Sequence, residues 1–393
     1  MTAATFLLWV LGVPAVASSL YLLAAVLLSG APRVPPRSAR RLRFDVIVPA
    51  HNEAAVIQRT VRSLQQLDWP RSRYRIVVVA DNCTDATSEL ARHAGAVVVE
   101  RRDAARRGKG YALEHGFAYS ALSHWADALV VIDADTEVSP NLLEAYAARI
   151  ERGATAVQAH YGVLNPLASW RTRLITIAKA SFHIVRSRAR ERLGLSCGIR
   201  GNGWCVTREL LDQVPFAAFS ITEDVEYGIT LGLAGHRVHY ADEAHADGEM
   251  VSVSAVASKQ RQRWEYGRLQ LVRSRTLPLL RAAVARPSAV CLDLALDLLV
   301  PPLSYVALNV ALLAAAAGAL CRWQPAAQAW LWIALGCLTS LLLYVLRGWR
   351  LSGLGARGLA DLAYAPFFVG WKLVAMLGRR ESRGWVSTKR EGA

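Results

Sequence analysis

The sequence predicts a doubly wound α/β domain that is flanked by transmembrane helices. The 393 residues are 53% hydrophobic, and the longest apolar runs lie near the two ends of the chain. Between those ends, short apolar runs alternate with segments of helical periodicity. Polar clusters follow three of the short runs, as expected where the strands of such a sheet end at a ligand site. These three observations predict the fold class, and each element is justified below.

The first element is an uncharged run from Thr2 to Ala31, which is long enough to cross a hydrocarbon layer of about 30 Å as a helix. We therefore assign residues 1–31 to an N-terminal transmembrane helix and residues 32–43 to a basic linker. A secretory signal peptide carries its charge before the apolar run, whereas here the arginines follow it. By the positive-inside rule, we expect an uncleaved anchor whose N-terminus is outside the cell.

Residues 44–286 have the pattern of a soluble α/β domain, which we expect to be cytoplasmic. Four near-continuous apolar runs predict strands of a mainly parallel sheet covered on both faces: "FDVIVPA", "YRIVVVA", "AVVVE" and "ALVVIDA". Helices are predicted from Glu53 to Leu67 and from Thr84 to Ala94, with Asn82 and Thr84 as candidate caps of the second.

Two aspartates, Asp133 and Asp135, follow the fourth predicted strand. A carboxylate pair at this position suits a hard divalent cation, because Mg²⁺ binds one or two carboxylates and takes further ligands from substrate phosphates. The alternative is a solvated strand end in which Asp135 or Ser139 caps the next helix. We expect the cation, Mg²⁺ or Mn²⁺, because other polar motifs accompany the pair.

Two of these motifs lie further along the chain. "ITEDVEYG" supplies Glu223 and Asp224, and "KQRQRWEYGR" places an amide, a guanidinium and an indole on one helical face through Gln260, Arg263 and Trp264. That face could present a planar cation to phosphate and an aromatic ring to a sugar or base. The alternative is an amphipathic surface helix with Trp264 docked at the membrane.

Together, the motifs between Phe44 and Arg268 resemble those of the membrane-bound glycosyltransferase family 2, which includes polysaccharide synthases and ceramide glucosyltransferase. The resemblance rests on "VIVPAHNE", "VVADNCTDAT", "RGKGYAL", "VIDADT", "GNGWCVTRELL", "TED" and "QRQRW". It implies a GT-A-like nucleotide-sugar-binding domain, an inverting mechanism, and a UDP-linked donor as the expected substrate.

The resemblance also implies roles for individual residues. Glu53 and Asp81 would contact the nucleobase and ribose, Lys109 would lie near the donor diphosphate, and Asp133 would help to hold the nucleotide. Lys109 could instead be a turn lysine between glycines. The family's remaining donor-binding positions correspond to Gln260, Arg263 and Trp264.

The resemblance implies that Asp135 would be the metal ligand and that Asp224 would be the general base. An inverting transfer is a single displacement at the anomeric carbon, so it requires one base for the acceptor hydroxyl and a cation for the departing diphosphate. The "GNG" stretch at residues 201–203 either approaches the acceptor or forms only a turn.

Residues 287–378 form a predicted membrane region with spans at about Cys291 to Leu320 and Trp330 to Leu346. A third segment, Leu359 to Leu377, carries Asp361 and Lys372 on one helical stripe and has basic residues at both flanks. We predict two spans plus one interfacial or re-entrant helix, with a third span as the alternative. The basic tail, residues 379–393, should be cytoplasmic.

The net charge of +15 is attributed to membrane topology and anionic lipid, because no nucleic-acid-binding motif is present. The six cysteines contain no C-x-x-C pair, which indicates a reduced compartment. We therefore expect a multi-pass protein of the inner or plasma membrane that binds a nucleotide-sugar donor, a glycan or lipid acceptor, and no nucleic acid.

Three functions remain open at this point. The first is polysaccharide synthesis, for which partner subunits for glycan export are possible because a self-contained channel usually requires more spans. The second is a single transfer to a ceramide-like or polyprenyl lipid. The third is a nucleotide-binding subunit of a glycan secretion complex, without turnover.

Overall fold

The computed structural model describes residues 3–250, 254–367 and 369–370, and for residues 254–263 it describes the backbone only. Helices surround one eight-stranded sheet. The helices are α1 Ala3–Leu28, α2 Ile57–Gln65, α3 Thr87–His93, α4 Lys109–Ser123, α5 Leu142–Ile150, α6 Trp170–Lys179, α7 Arg186–Arg192, α8 Arg208–Gln213, α9 Glu223–Leu233, α10 Ser254–Ala285, α11 Ala289–Leu299, α12 Leu303–Leu320, α13 Pro325–Leu351 and α14 Gly355–Asp361. A π-helical segment, Ala180–Val185, joins α6 to α7, and short 3-10 turns cover Arg71–Arg73 and Leu362–Tyr364.

The strands are β1 Phe44–Ala50, β2 Tyr74–Asp81, β3 Val97–Arg101, β4 Ala128–Val131, β5 Thr136–Val138, β6 Ala156–Val163, β7 Trp204–Thr207 and β8 Val238–Gly248. Their order in the sheet is β3-β2-β1-β4-β7-β6-β8-β5. The first four strands are parallel, as predicted. The predicted α/β class is confirmed, but the sheet is mixed, because β7 runs antiparallel to both β4 and β6, and β5 runs antiparallel to β8.

The four predicted strands are present, and the two helices between them are shorter than predicted. The predicted caps of α3 are wrong, because its N-cap is Ala86 and no side chain caps it. Asn82 instead adopts a positive φ of 50° and donates to Asp81 Oδ1 and to the carbonyl of Asp103. Its short polar side chain makes this left-handed conformation tolerable. Asn82 therefore shapes the strand-end loop rather than the helix.

Apolar residues fill both faces of the sheet. One core packs β1, β2 and β4 against α2 and α5, and the second packs the opposite face against α4 and α9. The buried strand residues account for the near-continuous apolar runs, since a strand covered on both faces has no exposed side for polar residues. The strand ends, and not the strands, are therefore available for chemistry.

Three helices among the described residues are long and apolar enough to span a membrane, namely α1, α12 and α13. They pack against each other and against α7 in one cluster. The predicted span from Cys291 to Leu320 is wrong in its bounds. The chain breaks at Pro301 and Pro302, because two successive prolines remove two backbone donors, and only α12 remains as a candidate span.

The segment before that break, α11, carries the acidic residues of a buried ionic cluster. Asp297 Oδ1 lies 2.8 Å from Arg186 Nη1 and 2.8 Å from Arg190 Nη2. Asp293 Oδ2 lies 2.8 Å from Arg190 Nε. Asp297 Oδ2 also lies 3.5 Å from Nη1 of Arg200, a residue of the sheet domain. The cluster therefore connects the sheet domain to the apolar helices.

The predicted polar stripe of Leu359 to Leu377 is only partly within the described residues. Asp361 does not point outward, since it is buried and forms an ion pair with Arg173 of α6. Lys372 and the basic tail lie outside the described residues. Whether this segment spans the membrane stays a prediction.

Candidate active site

Lys109 lies at the centre of the polar groups that gather at the carboxyl ends of the strands. Its Nζ lies 2.6 Å from Asp133 Oδ1 and 3.5 Å from Glu223 Oε1. It also donates to the carbonyl of Gly201 at 2.7 Å. Lys109 is thus more than a turn lysine, because it connects the segment after β4, the "GNG" turn and the start of α9.

The turn formed by residues 201–203 holds the segment after β4 in place. Buried Asn202 accepts from the backbone N–H of Asp133 at 3.0 Å and donates to Thr136 Oγ1 at 2.6 Å. Gly203 has φ +70°, and a Cβ on it would lie 2.6 Å from the Cβ of Ala246. Only glycine fits there, so the turn has a structural role in addition to any contact with an acceptor.

Asp135 lies between Asp133 and Thr136, the two residues to which Asn202 is hydrogen-bonded. Its side chain is half-buried, its Oδ1 accepts from Thr136 Oγ1 at 3.4 Å, and its carbonyl accepts from the backbone N–H of Glu249 at 3.3 Å. Neither Asp135 nor Ser139 caps α5, because the N-cap is Asn141 and Ser139 Oγ accepts from the N–H of His245. The alternative in which Asp135 or Ser139 caps the next helix is therefore wrong.

Glu223 and Asp224 open α9 with different surroundings. Glu223 is buried against Lys109, whereas Asp224 is half-buried and its Oδ2 lies 3.4 Å from the place where a Cβ on Gly201 would stand. Burial raises the pKa of both carboxyl groups above the usual range, and the nearby ammonium of Lys109 partly offsets that effect. Despite its own burial, Lys109 has a raised pKa, because Asp133, Glu223 and Asp224 surround it.

Sequence reasoning missed two further residues, Tyr161 on β6 and Lys179 at the end of α6. Burial and then the charges of Asp133, Asp135 and Asp224 raise the pKa of Tyr161, so its hydroxyl lies in the field of all three aspartates. Lys179 Nζ stands 3.4 Å from the centroid of the Tyr161 ring. Burial lowers the pKa of Lys179 to about 7, against the opposing charge of Asp135. Neither residue belongs to a motif.

Glu53 and Asp81 lie at the ends of the neighbouring strands β1 and β2. The backbone N–H of Glu53 donates to Thr87 Oγ1 at 2.8 Å. Asp81 is buried, and its Oδ1 lies 2.6 Å from Nη1 of Arg101. Arg101 was not among the residues predicted for the site. The only signal for Arg101 was its position at the end of the third apolar run. The structure brings these residues to one edge of the sheet.

The third predicted group lies on α10. The side chains of Gln260 and Arg263 are outside the described residues, and the Trp264 side chain is described and exposed. Close packing brings α10 to the site, since a Cβ on Gly267 would lie 2.8 Å from Cγ2 of Thr222, the residue before Glu223. The helix that was predicted from "KQRQRWEYGR" therefore packs at Gly267 against the residue that precedes the carboxylates of α9.

A family model described as "Glycosyltransferase like family 2" matches residues 41–267, more than half of the chain. The chain belongs to this family. The matched range includes the polar groups around Lys109 and the start of α10. The family resemblance that the motifs indicated is therefore confirmed.

Similar proteins include the probable glycosyltransferase YdaM of Bacillus subtilis, which is 26% identical over 241 residues, covering 58% of this chain and 56% of that protein. A beta-monoglucosyldiacylglycerol synthase of Nostoc sp. is 29% identical over 233 residues, covering 58% of this chain and 49% of that protein. The family 2 chain thus spans about half the length of the curated relatives it matches.

Among solved structures, a mannosyltransferase from Pyrobaculum calidifontis, in complex with GDP-Man and Mn²⁺, aligns with a TM-score of 0.49 and 20% identity, covering 83% of this chain and 94% of that one.

Proposed function

We propose that the chain transfers a sugar from a nucleotide sugar to a lipid or glycan acceptor by inverting displacement. The observation that carries this proposal is the position of Lys109 between Asp133 and Glu223. Asp224 lies beside the turn at residues 201–203, to which Lys109 also donates. At the ends of the strands, the ammonium of Lys109 would offer positive charge to the leaving diphosphate, and a carboxylate would accept the proton of the acceptor hydroxyl. Membership of the family supports the same reaction class.

The carboxylates divide into holding and reacting groups. Asp133 is engaged by Lys109, and the backbone around Asp135 is held through Thr136 and Glu249. Asp135 would hold Mg²⁺ or Mn²⁺, since a half-buried carboxylate next to a second carboxylate fits a hard cation. Such an ion would stabilise the negative charge of the departing diphosphate. Lys109 would contribute further positive charge near the same group.

Asp224 would accept the proton of the acceptor hydroxyl. Burial raises its pKa above the usual aspartate range, which makes its carboxylate a stronger base. Glu223 suits this role less well, because Lys109 contacts its carboxylate and it is almost entirely buried. A single base is sufficient for an inverting displacement, and the base must lie on the acceptor side.

The acceptor would reach Asp224 from the membrane side of the domain. Arg200 precedes the "GNG" turn and contacts Asp297 of α11, so the turn beside Asp224 adjoins the helices that lead to the apolar cluster. A lipid acceptor fits this arrangement, and the name of the Nostoc relative, a glucosyldiacylglycerol synthase, supports it. We further propose UDP as the donor nucleotide and a cytoplasmic catalytic domain.

The proposal is tested by incubating the purified chain in nanodiscs with a panel of radiolabelled nucleotide sugars, with Mg²⁺, with Mn²⁺ and with EDTA. We expect metal-dependent transfer from one UDP-sugar to a product that partitions with lipid. A product of high molecular mass would instead indicate polysaccharide synthesis. Nucleotide binding with neither transfer nor donor hydrolysis would contradict the enzyme proposal and favour a nucleotide-binding subunit.

A further inference from the structure

Three side chains of the types that bind metal ions lie together on two neighbouring strands of the sheet, apart from the carboxylates of the candidate active site. They are His160 of β6 and His245 and Asp247 of β8, and their ligand atoms all lie within 4.8 Å of one another. The two imidazole rings have centroids 4.6 Å apart, and His245 Nδ1 lies 4.0 Å from Asp247 Oδ1. The proposed reaction uses none of these residues.

An irregular strand pairing brings the two histidines together. Ala159 of β6 pairs with Ala241 of β8, but the next residue, His160, pairs with His245. Three residues of β8 are therefore passed over at a bulge. With regular pairing, His160 would face Asp242, so the bulge is what places one imidazole opposite the other.

A glycine provides the space for the carboxylate. Asp247 pairs with Gly162, and a Cβ on Gly162 would lie 2.0 Å from Asp247 Oδ1 and 3.1 Å from His160 Nε2. Any larger residue at position 162 would occupy the space between these two ligand atoms. The bulge and the glycine are independent features of the backbone, and both allow the same three side chains to converge.

A hydrogen-bond partner on one ring nitrogen of His160 orients the other ring nitrogen toward Asp247. His160 Nδ1 lies 3.3 Å from the hydroxyl of Tyr240, which leaves Nε2 facing Asp247. A partner on one ring nitrogen commonly orients the other toward a metal. The nearby ammonium of Lys179 donates to the carbonyl of Gly162 at 3.3 Å.

We propose that His160, His245 and Asp247 bind a divalent transition metal of the Zn²⁺ type at a second cation site. Two imidazoles and one carboxylate favour such an ion over Mg²⁺, which prefers oxygen ligands only. Because Zn²⁺ binds nitrogen at about 2.0–2.1 Å, two ligands of one ion lie at most about 4 Å apart. The side chains of His245 and Asp247 are 45% and 33% exposed, so they have room to close on the half-buried His160.

The bound ion would connect β6 to β8 beside the proposed reaction site. Tyr161, which lies in the field of Asp133, Asp135 and Asp224, directly follows His160. Two residues after Asp247, Glu249 donates its backbone N–H to the carbonyl of Asp135. Metal binding would therefore stabilise the two backbone segments that hold Tyr161 and Asp135.

The test uses the full chain in detergent, stripped with a chelator and supplied with excess Mg²⁺ to occupy the oxygen site at Asp135. Zn²⁺ binding is then measured by equilibrium dialysis and metal analysis, and thermal unfolding is measured with and without Zn²⁺. We expect one Zn²⁺ per chain and a higher unfolding temperature with the ion bound. His245→Gln and Asp247→Asn should each weaken binding by at least about 10-fold and remove the thermal effect.

Two matched variants serve as controls. His93→Gln changes an exposed histidine on α3, so it should bind Zn²⁺ as the unmodified chain does. Asp135→Asn should also keep Zn²⁺ binding, since it removes only the proposed oxygen site. The proposal is overturned if His245→Gln binds Zn²⁺ normally, if the unmodified chain binds none, or if Asp135→Asn abolishes the binding.

Discussion

At the scale of single residues, Asp135 carries the sharpest prediction. Asp135→Asn should reduce transfer by at least about 10³-fold, because the variant lacks the charge needed to hold a cation at the departing diphosphate. The fold should be retained, since the substitution is nearly isosteric and the backbone hydrogen bond from Glu249 is unaffected. Released UDP and circular dichroism measure the two properties on one preparation.

Asp212→Asn on α8 is the matched control, because that aspartate is exposed and lies outside the polar cluster. It should transfer at the unmodified rate. Normal turnover of Asp135→Asn in the presence of Mg²⁺ or Mn²⁺ would remove the metal role from Asp135.

Asp224→Asn should separate donor binding from transfer. We expect nucleotide affinity within a few-fold of the unmodified chain and transfer lower by about 10²-fold or more, the scale at which a positioned base contributes. Calorimetry gives the affinity, and sugar transfer gives the rate. Should Glu223→Gln be inactive while Asp224→Asn transfers normally, the base is Glu223 instead.

Lys109→Met should shift the acidic limb of the pH–rate profile. Asp224 accepts a proton only when ionised, so the rate rises as pH increases through its pKa. Lys109 lowers that pKa, so its removal should raise the pKa and move the acidic limb to higher pH. The profile of kcat/KM is measured for both chains. A rate that falls without a shift of the limb would show that Lys109 does not act on the base.

At the scale of helices and strands, α11 is held to the sheet domain by its buried aspartate. Asp297→Asn leaves Arg186 and Arg190 without their shared carboxylate, and an unpaired buried charge costs about 3–5 kcal/mol. We expect a lower free energy of unfolding, followed by tryptophan fluorescence on heating in detergent. Asp68→Asn breaks the exposed pair with Arg40 and should leave the unfolding temperature unchanged.

The elements show which parts of the structure the sequence could predict. The strands β1, β2 and β4 were predictable because burial on both faces leaves an uninterrupted apolar run. The edge strand β3 is partly exposed, and its run of three valines predicted it. The antiparallel β7 was not, since it has only four residues and its pairing depends on distant chain segments. The break at Pro301 was visible as two prolines, but composition alone suggested one continuous span.

The site shows the same division. Asp135 and Asp224 could be predicted as site residues because each belongs to a motif within a few residues, and their roles stay predictions. Tyr161 and Lys179 were missed, since their positions depend on where β6 and α6 pack and no local pattern records it. The His160 to His245 pairing was likewise hidden, because a strand bulge sets it.

At the scale of the whole molecule, the loop after α13 and the C-terminal tail should lie on the same, cytoplasmic side. Both are rich in arginine or lysine, and short basic segments are retained in the cytoplasm. Single cysteines at Arg357 and Ala393, in a chain without its native cysteines, would be tested for labelling by a membrane-impermeant reagent. Labelling from opposite sides would show that Leu359 to Leu377 spans the membrane.

The contacts of Tyr21 have a consequence for the order in which the chain is assembled during synthesis. Tyr21 of α1 accepts from Arg190, 169 residues later, and donates to Asp293, 272 residues later. A ribosome that adds about 5–20 residues per second needs on the order of 10 s or more to reach that aspartate. The first helix is therefore synthesised well before its polar partners exist. Tyr21 lacks both of these partners until α7 and α11 have been synthesised.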